Sequence, residues 1–274
     1  MGLQGYLSGE DRESPEFRAE VISAVRLAAE LGITYFDTAP GYGNGRSERI
    51  LGEALEPDRG RVIVATKYPF GPAWTPESAT DGLRSSLERL RTDCVDVLQL
   101  HGGFFSDGQA DAILASGALE WAEAMRAAGR CRFTGITAEG PSGALERLLR
   151  TRRLDVLEIQ YNLLYQAVCD HQREPAGIVM LARSLGMGVT TMRTATSGLF
   201  QRIVRAALPQ LDAGTLTRLA INFVLSTAEI DCAIVGMCAP EEVAANAALA
   251  SDTASRLDLP ALHQRYVEPG GVRR

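Results

Sequence analysis

Short apolar runs alternate along the chain with longer stretches whose apolar residues recur every three or four positions. The short runs predict strands at Ile33–Phe36, Val62–Thr66, Val95–Leu100, Cys131–Thr137, Val156–Gln160, Val189–Met192 and Ala233–Gly236. The longer stretches predict helices. Phe17–Leu31 places Val21, Val25, Ala28 and Leu31 on one face, and Ser78–Leu90 does the same with Leu83, Leu87 and Leu90. Leu119–Ala128, Ser142–Leu149, Ile178–Leu185, Leu216–Leu225 and Pro240–Leu249 continue the series, with Pro141 and Pro240 suited to early helix positions. A shorter helical run, Glu48–Leu55, follows the first strand.

Strand–helix alternation at near-constant spacing means parallel strands joined by helical crossovers. Seven strands are plain, and an eighth has only "MGLQG" at the N-terminus to draw on, which is poor strand material. Eight units close a barrel. A length of 274 residues suits one (β/α)₈ domain, and no linker or shift in composition divides it, so residues 1–274 read as one domain. Two connections exceed what a βα turn needs, His101–Asp111 and Tyr161–Pro175; long loops at the carboxyl ends of barrel strands are where such folds keep their sites.

Composition narrows the partners. Apolar residues make up 46% of the chain and the net charge is −6, which suits a globular protein and supplies no broad basic field for nucleic acid or anionic lipid. No apolar run approaches a membrane span, and no signal peptide is visible, so a cytoplasmic location is expected. The five cysteines are scattered without CxxC spacing and read as buried reduced thiols. The histidines, His101, His171 and His263, lie too far apart in sequence for a metal motif. Oligomeric state is not encoded in any of these features.

The chemistry lies where strands end. Asp37 follows the first predicted strand, with Tyr42 in the loop behind it; Lys67 follows the second and His101 the third. Singly, Asp37 fits a turn or cap, Lys67 a solvated cation, and His101 a core histidine. Together they put polar groups at equivalent ends of three successive strands, which share one rim in a parallel barrel. A tyrosine is a poor acid near neutrality, and a neighbouring ammonium favours its phenolate. A carboxylate keeps the ammonium charged, and an imidazole can bond the oxygen that the tyrosine protonates. The set makes a general acid aimed at a carbonyl oxygen, and the missing partner is a hydride source. The glycines Gly41, Gly43 and Gly45 do not form G-x-G-x-x-G, because Arg46 stands at the third glycine position. They are expected to bend the loop so that Tyr42 faces the barrel mouth.

"GITYFDTAPGYGNGRSERILGEAL", "VIVATK", "VDVLQLHG" and "AIVGMCAPEEVAANAAL" resemble the aldo-keto reductase family, in order, from about Gly32 to Ala250. The resemblance implies a (β/α)₈ TIM barrel that binds NADP(H) or NAD(H) without a Rossmann domain and interconverts an aldehyde, ketone or aldose with an alcohol. It places the catalytic tetrad on Asp37, Tyr42, Lys67 and His101, with Tyr42 as proton donor. It also implies cofactor contacts at Thr137, Gln160, Met192, Arg193, Thr194, Gly198, Gly236, Met237, Cys238 and Asn246, with Gln160 on the nicotinamide carboxamide and Met192 against the ring.

Three departures from the family pattern stand out. Thr137-Ala138 replaces the usual Ser-Asn, Cys238 and Glu242 replace the basic residues that hold a 2′-phosphate, and the N-terminal hairpin is absent ahead of a weak first strand. The first two suggest a second reading, a regulatory or catalytically weak protein that binds the cofactor on the same barrel. A Schiff-base enzyme using Lys67 is a third, but it leaves Tyr42 without a role.

Overall fold

The computed structural model describes residues 1–2, 14–169 and 176–262. His171, His263, residues 3–5 of the N-terminal stretch and the end of the 161–175 loop lie outside them.

Seven parallel strands stand in sequence order: β1 (Tyr35–Asp37), β2 (Ile63–Pro69), β3 (Val95–His101), β4 (Cys131–Ala138), β5 (Val156–Gln160), β6 (Gly188–Met192) and β7 (Cys232–Ala233). Helices α1 (Pro15–Glu30), α2 (Arg46–Ala54), α3 (Pro76–Leu90), α4 (Asp107–Ser116), α5 (Ala118–Ala127), α6 (Gly143–Arg150), α7 (Ile178–Ser184), α8 (Leu199–Ala207), α9 (Ala213–Leu225) and α10 (Pro240–Ser251) complete the layer around them.

Met1 and Gly2 occupy the eighth place. Gly2 bridges in parallel to Asp37 on one side and Gly236 on the other. The Asp37 N–H donates to the Met1 carbonyl (2.8 Å), and the Gly2 N–H donates to the Val235 carbonyl (3.0 Å). The wall is thus a (β/α)₈ barrel, with Met1 and Gly2 the described residues of its eighth place.

Strand alternation sorts the wall into two faces. Val64, Leu98, Leu100, Ile136, Leu157, Ile159 and Val189 are buried toward the helices. Tyr68 also points outward, meeting Trp121 of α5 edge-on at 4.7 Å between ring centres. The alternate residues, Asp37, Lys67, Gln99 and Glu158, are buried inside the barrel. An interior this polar is stable only because its groups pair with one another.

Several boundaries move from the sequence expectation. β2 runs on to Pro69, so Lys67 sits within the strand, not after it, because parallel pairing with β3 continues to Pro69 opposite His101. Of the Ala233–Gly236 run only Ala233 is in a strand, which starts one residue earlier at Cys232. Pro141 lies before α6, which Ser142 caps through the Leu145 N–H, whereas Pro240 opens α10 as expected. The His101–Asp111 connection is shorter than its sequence suggests, since Ser106 and Gln109 form a capping box that starts α4 at Asp107.

Candidate active site

The loop after β1 is built to present Tyr42. Gly43, Asn44 and Gly45 all take left-handed backbone angles (φ 56, 52 and 77°), which turn the chain into α2. A side chain at Gly45 would also strike the Arg89 stem, 2.7 Å from an added Cβ. Beneath the loop lies a sealed polar anchor. The Thr38 and Ser47 hydroxyls share a hydrogen bond of 2.7 Å. Glu48, fully buried, accepts from the Thr66 hydroxyl of β2 (2.7 Å) and from Arg89 Nε of α3 (2.6 Å). The anchor ties the Tyr42 loop to the strand that carries Lys67.

The four predicted tetrad residues converge. Lys67 Nζ donates to Asp37 Oδ1 (2.5 Å) and to the Thr38 carbonyl (2.9 Å). It stands 5.1 Å from the centre of the Tyr42 ring. The His101 ring meets Tyr42 edge-on, 6.0 Å between centres. A second carboxylate joins them: Glu158 Oε2 lies 3.8 Å from Lys67 Nζ and accepts from Gln99 Nε2 (2.9 Å). The amine of Met1 lies one layer lower, donating to the Tyr35 carbonyl (2.6 Å), and burial draws its pKa below 8.0.

Burial and charge set the protonation states. Burial pushes Tyr42 up to about 12, against the pull of the Lys67 ammonium. The expectation that the lysine lowers the tyrosine's pKa therefore describes the direction of its charge, not the net outcome in the ligand-free site. Burial also works against the charge on Lys67, but Asp37 and Glu158 outweigh it and hold the ammonium charged. Burial and then the Glu158 charge raise Asp37 to about 7. Burial and the Lys67 charge lower His101 to about 4, so it is a neutral imidazole near neutral pH.

A cleft of about 890 Å³ opens beside this cluster, with Asp37, Tyr42 and Glu158 at one end and Glu242 and Asn246 at the other. Of the predicted cofactor contacts, Met192, Arg193, Thr194, Gly198, Gly236 and Asn246 line it. Thr137, Gln160, Met237 and Cys238 are not among the lining residues. The Thr137 hydroxyl is engaged with the Gly102 N–H (2.9 Å) and carbonyl (3.2 Å), and Met237 is in the core. Gln160 ends β5 between Glu139 and Arg193, which follow β4 and β6 and pair with each other at 2.6 Å. The Cys238 N–H donates to Glu242 Oε2 (2.9 Å).

Sequence reasoning missed several lining groups, notably Glu158, Thr217 and Arg218, and did not single out Ser197. Glu158 was legible, since it lies two residues before Gln160 on the same strand face. Ser197 was not: Thr196, Ser197 and Gly198 turn left-handed in succession (φ 58, 51 and 76°), which nothing in "TATSG" announces. A β-branched residue in that region is strained, and such strain collects at ligand sites.

The cleft is large enough for a dinucleotide, and its lining combines the apolar Met192, backbone of Gly198 and Gly236, and the Asn246 amide. A second groove of about 530 Å³ runs outside the barrel along α3 and α5, and no tetrad residue lines it. Among the described residues no cluster of His, Cys, Asp or Glu could hold a metal, and no helix is long and apolar enough to cross a membrane.

Comparison with known proteins agrees with this fold. L-galactose dehydrogenase of Arabidopsis thaliana is 28% identical over 264 residues, covering 88% of this chain and 81% of the plant protein. The chloroplastic pyridoxal reductase of the same plant is 31% identical over 202 residues, 64% of this chain, which spans about half (53%) of that relative's length. Among solved structures, an aldo-keto reductase from Klebsiella pneumoniae in complex with NADPH superposes with a TM-score of 0.72 at 22% identity, covering 98% of this chain and 91% of the other. The holo form of an aldo-keto reductase from Bacillus halodurans gives 0.71 at 23% identity, covering 93% and 89%. At these identities the structural likeness establishes the fold alone. The sequence model of the Aldo/keto reductase family matches residues 5–212, and the chain belongs to that family.

Proposed function

We propose that the chain is an oxidoreductase that interconverts a small aldehyde, ketone or aldose and the corresponding alcohol, with a nicotinamide cofactor held in the cleft. The observation that carries this reading is the meeting of Tyr42, Lys67, Asp37 and His101 at one end of a dinucleotide-sized cleft. The bound cofactor would supply or accept the hydride. Tyr42 holds the proton destined for the carbonyl oxygen, and the Lys67 ammonium stabilises the phenolate left behind. Neutral His101 offers a hydrogen bond to the same oxygen. Asp37 keeps Lys67 charged and in place.

The cofactor reading is NAD(H) or NADP(H), with NAD(H) the better fit. The end of the cleft remote from Tyr42 carries Glu242, whose carboxylate already takes the backbone N–H groups of Cys238 (2.9 Å) and Ala239 (3.2 Å). A 2′-phosphate there would meet a like charge and find those donors taken. We read residues 1–274 as one domain, and the reduced cysteines suit a cytoplasmic compartment. The partner is a small molecule, not nucleic acid or membrane.

A second reading, a regulatory or slow cofactor-binding protein, draws on the rise of Tyr42 to about 12, which weakens it as an acid. Fluorescence titration with NADH and NADPH, followed by turnover on a panel of carbonyls and sugar alcohols, separates the two. Binding with turnover supports the enzyme, and saturable binding without turnover supports the second reading. Absence of binding contradicts both.

A further inference from the structure

We propose that Glu158 is a positioning residue of the site, a second carboxylate on Lys67 that tilts the cleft toward the oxidised, positively charged form of the nicotinamide cofactor. This rests on the proposed function and adds a direction to it. Lys67 does not depend on Glu158 for its hydrogen bonds, because Asp37 and the Thr38 carbonyl take two of its three protons at 2.5 and 2.9 Å and Tyr42 is a further hydrogen-bond partner. A further carboxylate inside the barrel costs desolvation and returns little stability by itself. It is nonetheless held with care: its side chain is 2% exposed, Gln99 Nε2 clamps Oε2 at 2.9 Å, and the same oxygen stands 3.8 Å from Lys67 Nζ. It also borders the cleft together with Asp37 and Tyr42.

The buried cluster therefore sets two carboxylates against one ammonium. The Glu158 charge is felt at Asp37, where after burial it is the largest influence raising the carboxyl to about 7. A nicotinamide ring is cationic when oxidised and neutral when reduced. Excess negative charge at the cleft wall distinguishes the two forms and, by stabilising the cationic ring left once the hydride has gone, favours carbonyl reduction on the enzyme.

Calorimetric titration of the wild type and E158Q with NAD⁺ and NADH, or with the 2′-phosphorylated pair if that binds the wild type more tightly, tests this. E158Q is expected to weaken the oxidised form about tenfold and the reduced form less than about twofold, as loss of one nearby charge at intermediate dielectric implies. E158D, which keeps the charge, is expected to retain most of the oxidised preference. Equal weakening of both forms would show a purely structural role and overturn the proposal, as would no change in either. If E158Q does not fold, the wild type still decides: oxidised cofactor bound at least as tightly as reduced supports the proposal, and reduced bound more than about tenfold tighter overturns it. An unchanged ratio in a protein that binds both forms sinks the Glu158 role alone. Failure of the wild type to bind either form sinks the proposed function with it.

Discussion

Lys67 and Asp37 meet at 2.5 Å inside the barrel, with side chains 1% and 5% exposed. The lysine stands between two buried carboxylates, so removing it takes away the ion-pair partner that they share. Lys67→Met is expected to cost about 3–5 kcal/mol in stability. Turnover should fall on the order of a hundredfold or more. Denaturant unfolding and steady-state kinetics check the two effects, and a variant as stable and active as the wild type would contradict the pairing.

His101 gives a pH signature. Its folded pKa is about 4 against 6.5 when unperturbed. Between those values the unfolded chain binds more protons, so this residue makes stability rise with pH across that window and lose its contribution as pH falls through about 4. Asp37 acts oppositely, since its folded pKa is raised from 3.8 to about 7, giving stability that is full below 3.8 and lost as pH rises through about 7. Comparing His101→Gln with the wild type cancels the Asp37 effect. The stability gap between the two proteins should change between about pH 4 and about pH 6.5, as read from urea midpoints.

Glu242 predicts cofactor choice. Glu242→Gln keeps an acceptor for the Cys238 and Ala239 N–H groups and removes the charge. NADPH affinity is expected to rise about tenfold, about 1.4 kcal/mol, with NADH affinity within about twofold of the wild type. Fluorescence titration reads both, and parallel changes would contradict an electrostatic filter.

Glu48 anchors the Tyr42 loop to β2 and α3 without bordering the cleft. Glu48→Ala strands Arg89 and the Thr66 hydroxyl, and a loss of about 3 kcal/mol is expected. Turnover should fall more than cofactor affinity, because the tyrosine loop loosens while the far cleft stays intact. A melting curve and a cofactor titration on the same variant check this.

The convergence of Asp37, Lys67 and His101 was legible because a parallel barrel puts the ends of successive strands at one height. Asp37, Lys67 and His101 each follow an apolar run, and parallel register turns that repetition into proximity. The barrel was legible from strand–helix alternation for the same reason. Where geometry depends on a handful of hydrogen bonds, the sequence was mute. "MGLQG" does not announce that its Gly2 bridges Asp37 and Gly236. α4 hid in the His101–Asp111 stretch because its start depends on the Ser106 and Gln109 cap, not on a strong apolar face. Thr137 was expected as a cofactor contact from the family resemblance, yet its hydroxyl is spent on Gly102. Glu158 was overlooked beside Gln160, although period-two alternation puts both on the inner face.

The central claim is that Tyr42 moves the proton while the rest of the cleft holds the cofactor. Single-turnover hydride transfer by Tyr42→Phe, with cofactor affinity measured on the same sample, tests it most directly. The account predicts transfer reduced on the order of a thousandfold or more with cofactor affinity within about threefold of the wild type. Transfer at the wild-type rate in the phenylalanine variant would contradict it.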